Sequence, residues 1–227
     1  MRKFLIAASA LLALAACAHP AEPLTSVTAD APHILAALAD ARRPAEDTAR
    51  DALRHPADML AFAQIEPGDR VADLLPGGGY FTRIFAVAVG EAGRVYPLIR
   101  PQATVGEFET PILSVAAQYP SATMARTEYG ALAFPEPLDV VFTAQNYHDM
   151  AIVDYHLGDR NAMNRTAFAA LKPGGLYIVI DHSSVAGAAL ETVGDTALHR
   201  IDQSLVRAEV EAPSRDYVLN SADEADA

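Results

Sequence analysis

The stretch Asp73–Tyr80 constrains the fold of this chain more than any other, because it joins a short apolar run to three consecutive glycines. The apolar run, Arg70–Leu75, predicts a β-strand, and an amphipathic pattern predicts a helix from about Phe81. Glycine lacks a Cβ, so a ligand can lie against the backbone and positive φ values cost little. Unpaired N–H groups at the start of the helix offer further polar contacts. The pattern predicts a cradle for a nucleotide or nucleoside at the end of the first strand of a parallel sheet.

The rest of the chain alternates predicted strands and helices. Helical spacings come first, between Pro32 and Ala63. Further strands are predicted over Arg94–Ile99, Thr123–Thr127, Leu138–Thr143, Leu176–Asp181 and Asp216–Leu219. Helices are predicted over Phe81–Val89, Val105–Tyr119, Asn161–Leu171 and Leu198–Val210. This alternation predicts an α/β fold with a doubly wound, mostly parallel sheet and right-handed crossovers.

The N-terminus resembles the signal peptide of a bacterial lipoprotein. A charged start is followed by the apolar run Phe4–Ala16, which is too short for a stable membrane span, and the run ends in the lipobox-like Leu14–Cys17. In such lipoproteins the cysteine is lipidated and becomes the mature N-terminus; an ordinary signal peptide with a chance cysteine is the alternative. Ala18 after the cysteine is similar to outer-membrane sorting signals. We therefore expect an exported domain, anchored to the membrane through Cys17 on the periplasmic side of the envelope.

The chain divides into five predicted segments. These are a lipoprotein signal peptide over residues 1–17, a tether over 18–31, a helical lead over 32–66, the α/β domain over 67–220 and an acidic tail over 221–227. The chain has 29 Asp and Glu against 17 Lys and Arg, a formal net charge of −12. Such an acidic chain is a poor candidate for binding nucleic acid, so we expect a small-molecule substrate. The oligomeric state stays open.

The residues after the glycines exclude a phosphate-binding P-loop and argue against a nicotinamide dinucleotide site. A phosphate-binding P-loop needs Gly-Lys-Ser/Thr, but Tyr80 and Phe81 stand there. The nicotinamide fingerprint needs a third glycine where this chain has Thr82. Two later segments narrow the choice: Leu138–Val141, in the fourth strand, and Leu171–Leu176, which reads Leu-Lys-Pro-Gly-Gly-Leu before the fifth.

Together and in this order, the three segments resemble the class I S-adenosylmethionine-dependent methyltransferases, over about residues 43–210. The chain is most similar to a bacterial group of predicted, often exported, methyltransferases. Members share an Arg/Asp-rich lead (here Arg50–Ala57), a Pro-Gly-Gly-Gly-Tyr turn, the Asn-Tyr-His-Asp box at Asn146–Asp149, and Asp181-His182 followed by His199–Asp202. The resemblance implies a Rossmann-like fold that usually ends in an antiparallel hairpin. Whether this chain has the last antiparallel strand stays open.

The resemblance also implies which residues contact S-adenosyl-L-methionine. The glycine turn of such folds passes beneath the methionine portion, and this assigns cofactor contacts to Pro76, Gly77, Gly78, Gly79 and Tyr80. Asp73 either contacts the amino group or holds its own turn. Glu128 aligns with an acid that contacts the adenine amino group, with a solvated loop glutamate as the alternative. The second strand ends at Tyr96–Arg100 without the acid that normally binds the ribose hydroxyls, so that contact is unassigned.

Candidate catalytic residues follow the fourth and fifth strands, at the edge where open α/β sheets bind ligands. His148 is placed to accept a proton from the acceptor, with Asp149 orienting it and Asn146 binding cofactor or substrate through its amide. The alternative is that His148 and Asp149 cap the next segment. His182 leaves the neighbouring strand at the same edge, and His199 follows. No close-spaced ligand motif is present, so no metal is predicted, although three converging histidines leave a metal site open.

The sequence therefore predicts S-adenosylmethionine-dependent methyl transfer to an unidentified small molecule by an envelope-anchored domain. Two alternatives stay open. One is a catalytically inactive protein of the same fold that binds a ligand in the envelope. The other is a metal-dependent enzyme that uses a His148/His182/His199 cluster.

Overall fold

The computed structural model describes residues 26–101, 110–190, 198–212 and 217–222. The predicted signal peptide, most of the tether and residues 223–227 of the tail lie outside these ranges. Within them, no helix has the length and apolar character needed to cross a membrane.

Eight helices and six strands make up the described part of the chain. The helices are α1 (Pro32–Leu38), α2 (Ala45–Thr48), α3 (Asp51–Arg54), α4 (Pro56–Phe62), α5 (Tyr80–Ala88), α6 (Thr110–Gln118), α7 (Arg160–Ala170) and α8 (Gln203–Glu211). The strands are β1 (Arg70–Asp73), β2 (Arg94–Ile99), β3 (Ala125–Arg126), β4 (Leu138–Ala144), β5 (Leu171–His182) and β6 (Tyr217–Ala222). Short 3₁₀ turns cover Tyr129–Ala131, His148–Ala151 and Val153–Tyr155.

The strands form one sheet in the order β3-β2-β1-β4-β5-β6, and each described pair of strands is parallel. This confirms the predicted parallel α/β fold. The chain runs outward from β1 to β3 and then crosses back to β4, so the strand order reverses between β1 and β4. In open α/β sheets a ligand crevice forms at such a reversal.

Both faces of the sheet are covered, which explains the nearly continuous apolar runs of its strands. Successive residues face opposite cores because the side-chain period of a strand is two. The register aligns Val71, Val140 and Leu176 in one core, and Ala72, Val141 and Tyr177 in the other. The helical lead adds Ile34 and Leu60 to the first core, which also contains α5. The lead is thus packed onto the same side of the sheet as the helix that follows the glycine loop.

The element boundaries differ from the predicted ones where local hydrogen bonds decide them. The helix predicted from Leu198 begins only at Gln203, because the Asp202 side chain accepts from the Ser204 N–H as its N-cap. The strand predicted over Thr123–Thr127 is only two residues long. Strand β5 begins at Leu171 and takes in residues predicted as a turn. Strand β6 pairs parallel with β5, and among the described residues no antiparallel strand is present.

Candidate active site

Each of the three consecutive glycines has a definite place in the loop after β1. Gly77 and Gly79 have positive φ values of 52° and 81°, which favour glycine. A Cβ on Gly79 would lie 2.8 Å from Val115 Cγ2 and 2.9 Å from Ile112 Cδ1, whereas a Cβ on Gly77 or Gly78 would meet nothing within 4 Å. Gly79 therefore lets α6 pack against the loop. The other two leave the outer surface of the loop open to a ligand.

Asp73 ends β1 beneath this loop. Its carboxylate is buried and accepts a 2.5 Å hydrogen bond from Thr82 Oγ1, in the first turn of α5. Burial raises the pKa of Asp73 to about 7, although the bond from Thr82 acts in the opposite direction. Of its two predicted roles, the contact seen here is the one that holds the loop. A contact with a cofactor stays a prediction.

A cavity of about 250 Å³ lies between the glycine loop and the ends of β2 and β4. Its wall includes Pro76 and Gly77 of the loop, Ile99 and Arg100 at the end of β2, and Asn146 and Asp149 after β4. This volume is slightly below the usual ~300–1,000 Å³ of small-ligand pockets. The predicted cofactor residues Pro76, Gly77 and Asn146 thus meet at one crevice.

The other predicted cofactor residues lie around this crevice. Glu128 is half-buried and directly precedes Tyr129, which lines the cavity. At the end of β2, Arg100 Nη1 donates to the His156 carbonyl at 3.0 Å. No acid from β2 is present in the described wall of the cavity. As in the sequence, the place where similar folds bind the ribose hydroxyls has no carboxylate from this strand.

Asn146 joins the two sides of the crevice. Its Nδ2 donates to the Leu75 carbonyl at 2.6 Å, and its Oδ1 accepts from Thr143 Oγ1 at 2.6 Å. Leu75 and Gln145 have φ values of 53° and 62°, a conformation that is uncommon outside glycine. Two strained residues therefore follow neighbouring strands at the candidate site, and the Asn146 amide holds the turns together.

Tyr80 contacts the helical lead. Its hydroxyl donates to Asp51 Oδ1 at 2.5 Å, and both Asp51 oxygens accept from the Arg43 guanidinium at 2.5 and 2.9 Å. The Arg50 and Arg54 guanidiniums lie 5.1 and 4.8 Å from the centre of the Tyr80 ring. Burial and the bond to Asp51 raise the pKa of Tyr80. The Tyr80 side chain at the end of the glycine turn is thus held by the lead, and cofactor binding by Tyr80 stays a prediction.

A second arginine joins the lead to the loop itself. Arg83 Nη1 donates to Asp47 Oδ2 at 2.7 Å and to the Gly78 carbonyl at 2.9 Å. Asp47 also accepts from Arg50 Nη2 at 2.5 Å. Charged residues of the lead are therefore joined through Arg83 to the backbone of the glycine turn.

His148 is held by the end of the neighbouring strand. Its Nδ1 donates to Asp181 Oδ1 at 2.7 Å, and its backbone N–H donates to Asp181 Oδ2 at 2.7 Å. Burial alone would lower the pKa of His148, but the bond to Asp181 and the charges of Asp181 and Asp149 raise it above its ordinary value. The sequence predicted that Asp149 would orient His148, whereas the structure gives that role to Asp181, which comes from β5.

Asp149 lies on the other side of the imidazole. Its Oδ1 is 3.2 Å from His148 Nε2 and 3.8 Å from His199 Nδ1. One donor atom from each of these three residues lies within 4.8 Å of the other two. The cluster suggested from sequence contained His182 instead of Asp149. The His182 ring centroid lies 6.0 Å from that of His148, and in the described chain His182 is not a member of the three-donor group.

Solved structures with similar folds share this architecture. No protein-family model matches the chain. It resembles a SAM-dependent methyltransferase from Aquifex aeolicus at 19% identity and a TM-score of 0.55, over 73% of this chain and 82% of that one. It resembles the [4+2]-cyclase SpnF at 16% identity and a TM-score of 0.55, over 77% of this chain and 61% of that one. A third similar structure is phosphoethanolamine N-methyltransferase 2 of Haemonchus contortus in complex with S-adenosyl-L-methionine. The identity is 18% and the TM-score 0.51, over 71% of this chain and 36% of that one. The chain has a Rossmann-like methyltransferase fold.

Within this methyltransferase fold, the buried side chain of Tyr147 anchors the Asn-Tyr-His-Asp box. Its buried hydroxyl donates to Glu209 Oε2 and accepts from Asn164 Nδ2, both at 2.9 Å. Asn164 Oδ1 accepts from Tyr177 Oη at 3.0 Å, and Glu209 binds Arg160. Sequence reasoning missed this network, because its members are distributed over the segment after β4, strand β5 and helices α7 and α8. It fixes the residue next to His148 and so sets where the imidazole lies.

Proposed function

We propose that the protein binds S-adenosyl-L-methionine in the crevice and transfers its methyl group to a small molecule. One observation carries the proposal: a cavity lies between the open glycine loop and the end of β4, where the strand order reverses. The solved proteins of similar fold support it, since one is a SAM-dependent methyltransferase and another is in complex with S-adenosyl-L-methionine.

The residues of the crevice suit this ligand. Gly77 allows the methionine portion to lie close to the backbone, and Ile99 and Tyr129 offer apolar surface for the adenine. The acceptor would enter beside Asp149, because the polar cluster begins there. A sulfonium is already an activated methyl donor, so the protein contributes chiefly by aligning the two reactants.

Equilibrium binding of S-adenosyl-L-methionine to the purified protein tests the proposal. We expect a Kd of about 1–100 µM by calorimetry, and no detectable binding even at about 1 mM ligand would reject it. Gly77→Val should weaken binding because it adds bulk to the cavity wall. Gly90→Val is the matched control, since Gly90 also has a positive φ of 65° and open space around its Cβ position but does not line the cavity. Equal losses in the two variants would count against the crevice.

A second candidate function is ligand binding without turnover. The wall at the end of β2, with Ile99 and Arg100 but no described acid, favours it, because a ribose contact common to this fold is absent there. The [4+2]-cyclase SpnF has a similar fold, so the fold does not define the reaction. A protein that binds the cofactor but forms no S-adenosylhomocysteine with a broad panel of hydroxyl, amine and carboxylate acceptors would support this candidate over methyl transfer.

We also propose that the protein belongs to the exported group and is anchored to the envelope through a lipid on Cys17. The charged start, short apolar run and lipobox-like Leu14–Cys17 support this assignment. Expression in a bacterial host should place the protein in the membrane fraction, and Cys17→Ser should release most of it. An unchanged membrane fraction for Cys17→Ser would contradict lipidation.

A further inference from the structure

We propose that His148, Asp149 and His199 bind a divalent transition-metal ion at the rim of the crevice, and that the ion binds an oxygen atom of the methyl acceptor. The metal site depends only on the geometry of the three residues. The role given to the acceptor also rests on the proposed methyl transfer.

The distances from Asp149 Oδ1 to the two imidazole nitrogens suit a small metal ion, and one donor atom from each of the three residues lies within 4.8 Å of the other two. A tetrahedral zinc site with bonds of about 2.0–2.1 Å has donor atoms roughly 3.3 Å apart. Asp149 Oδ1 lies 3.2 Å from His148 Nε2, which already fits, and 3.8 Å from His199 Nδ1. The His199 side chain is 39% exposed, so its ring can rotate by the remaining fraction of an ångström with little displacement of packed neighbours.

His148 is held as a metal-ligating histidine usually is. Its Nδ1–H donates to Asp181, and the same carboxylate accepts from the His148 backbone N–H. Metal-binding histidines typically donate their second ring nitrogen to a carboxylate or carbonyl, which fixes the tautomer and directs the other nitrogen to the metal. The bond to Asp181 thus leaves Nε2 as the nitrogen with a lone pair, and Nε2 is the atom next to Asp149.

The backbone brings His199 to the same place. His199 has a φ of 47°, in the left-handed region that few non-glycine residues adopt. The following residues run beside the end of β5, where the Ile201 N–H donates to the His182 carbonyl at 2.9 Å. The segment is therefore fixed to the strand that also supplies Asp181. Strain of this kind concentrates at functional sites and is maintained by the surrounding contacts.

The donor set indicates the class of metal and leaves room for a substrate. Two imidazoles and one carboxylate are ligands for zinc and other first-row transition metals, whereas magnesium and calcium prefer oxygen alone. Three protein ligands leave an open coordination position, as in catalytic zinc sites. Asp149 lines the cavity, so this position would lie beside the proposed methyl donor.

The site assigns the acceptor to molecules that present a hydroxyl or carboxylate oxygen. A bound metal stabilises the deprotonated oxygen, and the proton of a hydroxyl leaves to solvent. The oxygen then bonds to the methyl carbon while the carbon–sulfur bond breaks and its electron pair stays on sulfur. The products are a methyl ether or methyl ester and S-adenosylhomocysteine. In this arrangement His148 and Asp149 are ligands, and no side-chain base is required.

Titration of the chelator-treated protein with Zn²⁺ alone tests the site. At about pH 8, where metal ligands are deprotonated, we expect one Zn²⁺ per chain with a Kd of about 1 µM or below. Co²⁺ bound in a tetrahedral site should give intense visible absorption bands. These bands report the geometry of the site without any assay of activity. Absence of stoichiometric binding would overturn the proposal.

Substitutions locate the metal. His199→Asn and Asp149→Asn should each raise the Kd for Zn²⁺ at least about tenfold and remove the Co²⁺ bands, and Asp181→Asn should raise it about 10- to 100-fold. His55→Asn is the matched control, because His55 and Asp58 form an exposed pair 3.6 Å apart, far along the chain from the cluster. Equal effects of His199→Asn and His55→Asn would overturn the assignment.

Binding of S-adenosyl-L-methionine separates this inference from the proposed function. His199→Asn should bind the cofactor as the unchanged protein does, which also shows that it is folded. If Zn²⁺ binds and the cofactor does not, the metal site stands and the acceptor role is wrong. If the cofactor binds and Zn²⁺ does not, the metal site is wrong and the methyl-transfer proposal is unaffected.

Discussion

Replacing Asp51 with alanine is expected to lower the free energy of unfolding by about 3–5 kcal/mol, because it leaves the buried charge of Arg43 without its carboxylate. The Arg43 side chain is 0% exposed, and both Asp51 oxygens accept from it. Arg43 Nε already has no hydrogen-bond partner among the described residues, so the guanidinium has little capacity to lose another. The substitution also removes the acceptor of the Tyr80 hydroxyl.

Urea unfolding followed by circular dichroism measures this loss. The control is Glu211→Ala, which breaks the ion pair with Arg207, where the side chains are 39% and 56% exposed. An exposed helical pair of this kind contributes about 0.3–0.5 kcal/mol. A loss for Asp51→Ala no larger than that for Glu211→Ala would mean that the lead does not stabilise the glycine turn.

Gly79→Ala is expected to cost about 2–5 kcal/mol, the sum of a left-handed backbone penalty and overpacking. The new methyl group would lie within 3 Å of Val115 and Ile112 side-chain atoms. Both of these residues are buried, so neither can move aside without disturbing the core. The measurement is again the free energy of unfolding in urea.

Gly77→Ala is the matched variant, because Gly77 also has a positive φ but its Cβ position is open. Only the backbone penalty of about 1–2 kcal/mol should remain. Gly77 lines the cavity, and Gly79 is not part of its described wall. Gly77→Ala should therefore reduce the free energy of cofactor binding by more than it reduces the free energy of unfolding. Similar stability losses in the two variants would contradict the packing role of Gly79.

The fold could be predicted from sequence because its strongest signals are local. The apolar runs of β1 and β4 and the glycine turn each specify their own conformation, and alternation with helices then fixes a parallel sheet. The boundaries of the helices and strands were harder to predict. Asp202, for example, caps α8 through a side-chain hydrogen bond that a hydrophobic pattern does not reveal. The sequence left open whether the last antiparallel strand is present, and in the described residues the last strand, β6, pairs parallel with β5.

The site was predictable only in part because its contacts join distant residues. The sequence indicated that His148 and Asp181 follow neighbouring strands, but the register of β4 and β5 decides that they meet. Adjacency in the chain favoured Asp149 as the orienting group, and the structure places it at the opposite nitrogen. Arg43 and Asp51 gave no sequence signal of their partnership with Tyr80, since ion pairs of a short helical lead depend on where the lead packs.

The bond from the Asn146 amide to the Leu75 carbonyl has a thermodynamic consequence for any ligand of the crevice. It joins two turns that already occupy restricted backbone conformations before a ligand arrives. Ordering a loop on binding usually consumes part of the interaction energy, and a wall that is rigid in advance avoids most of that entropic loss. A preformed wall would therefore offset part of the polar contact that an acid at the end of β2 normally supplies and that the described wall of the cavity lacks.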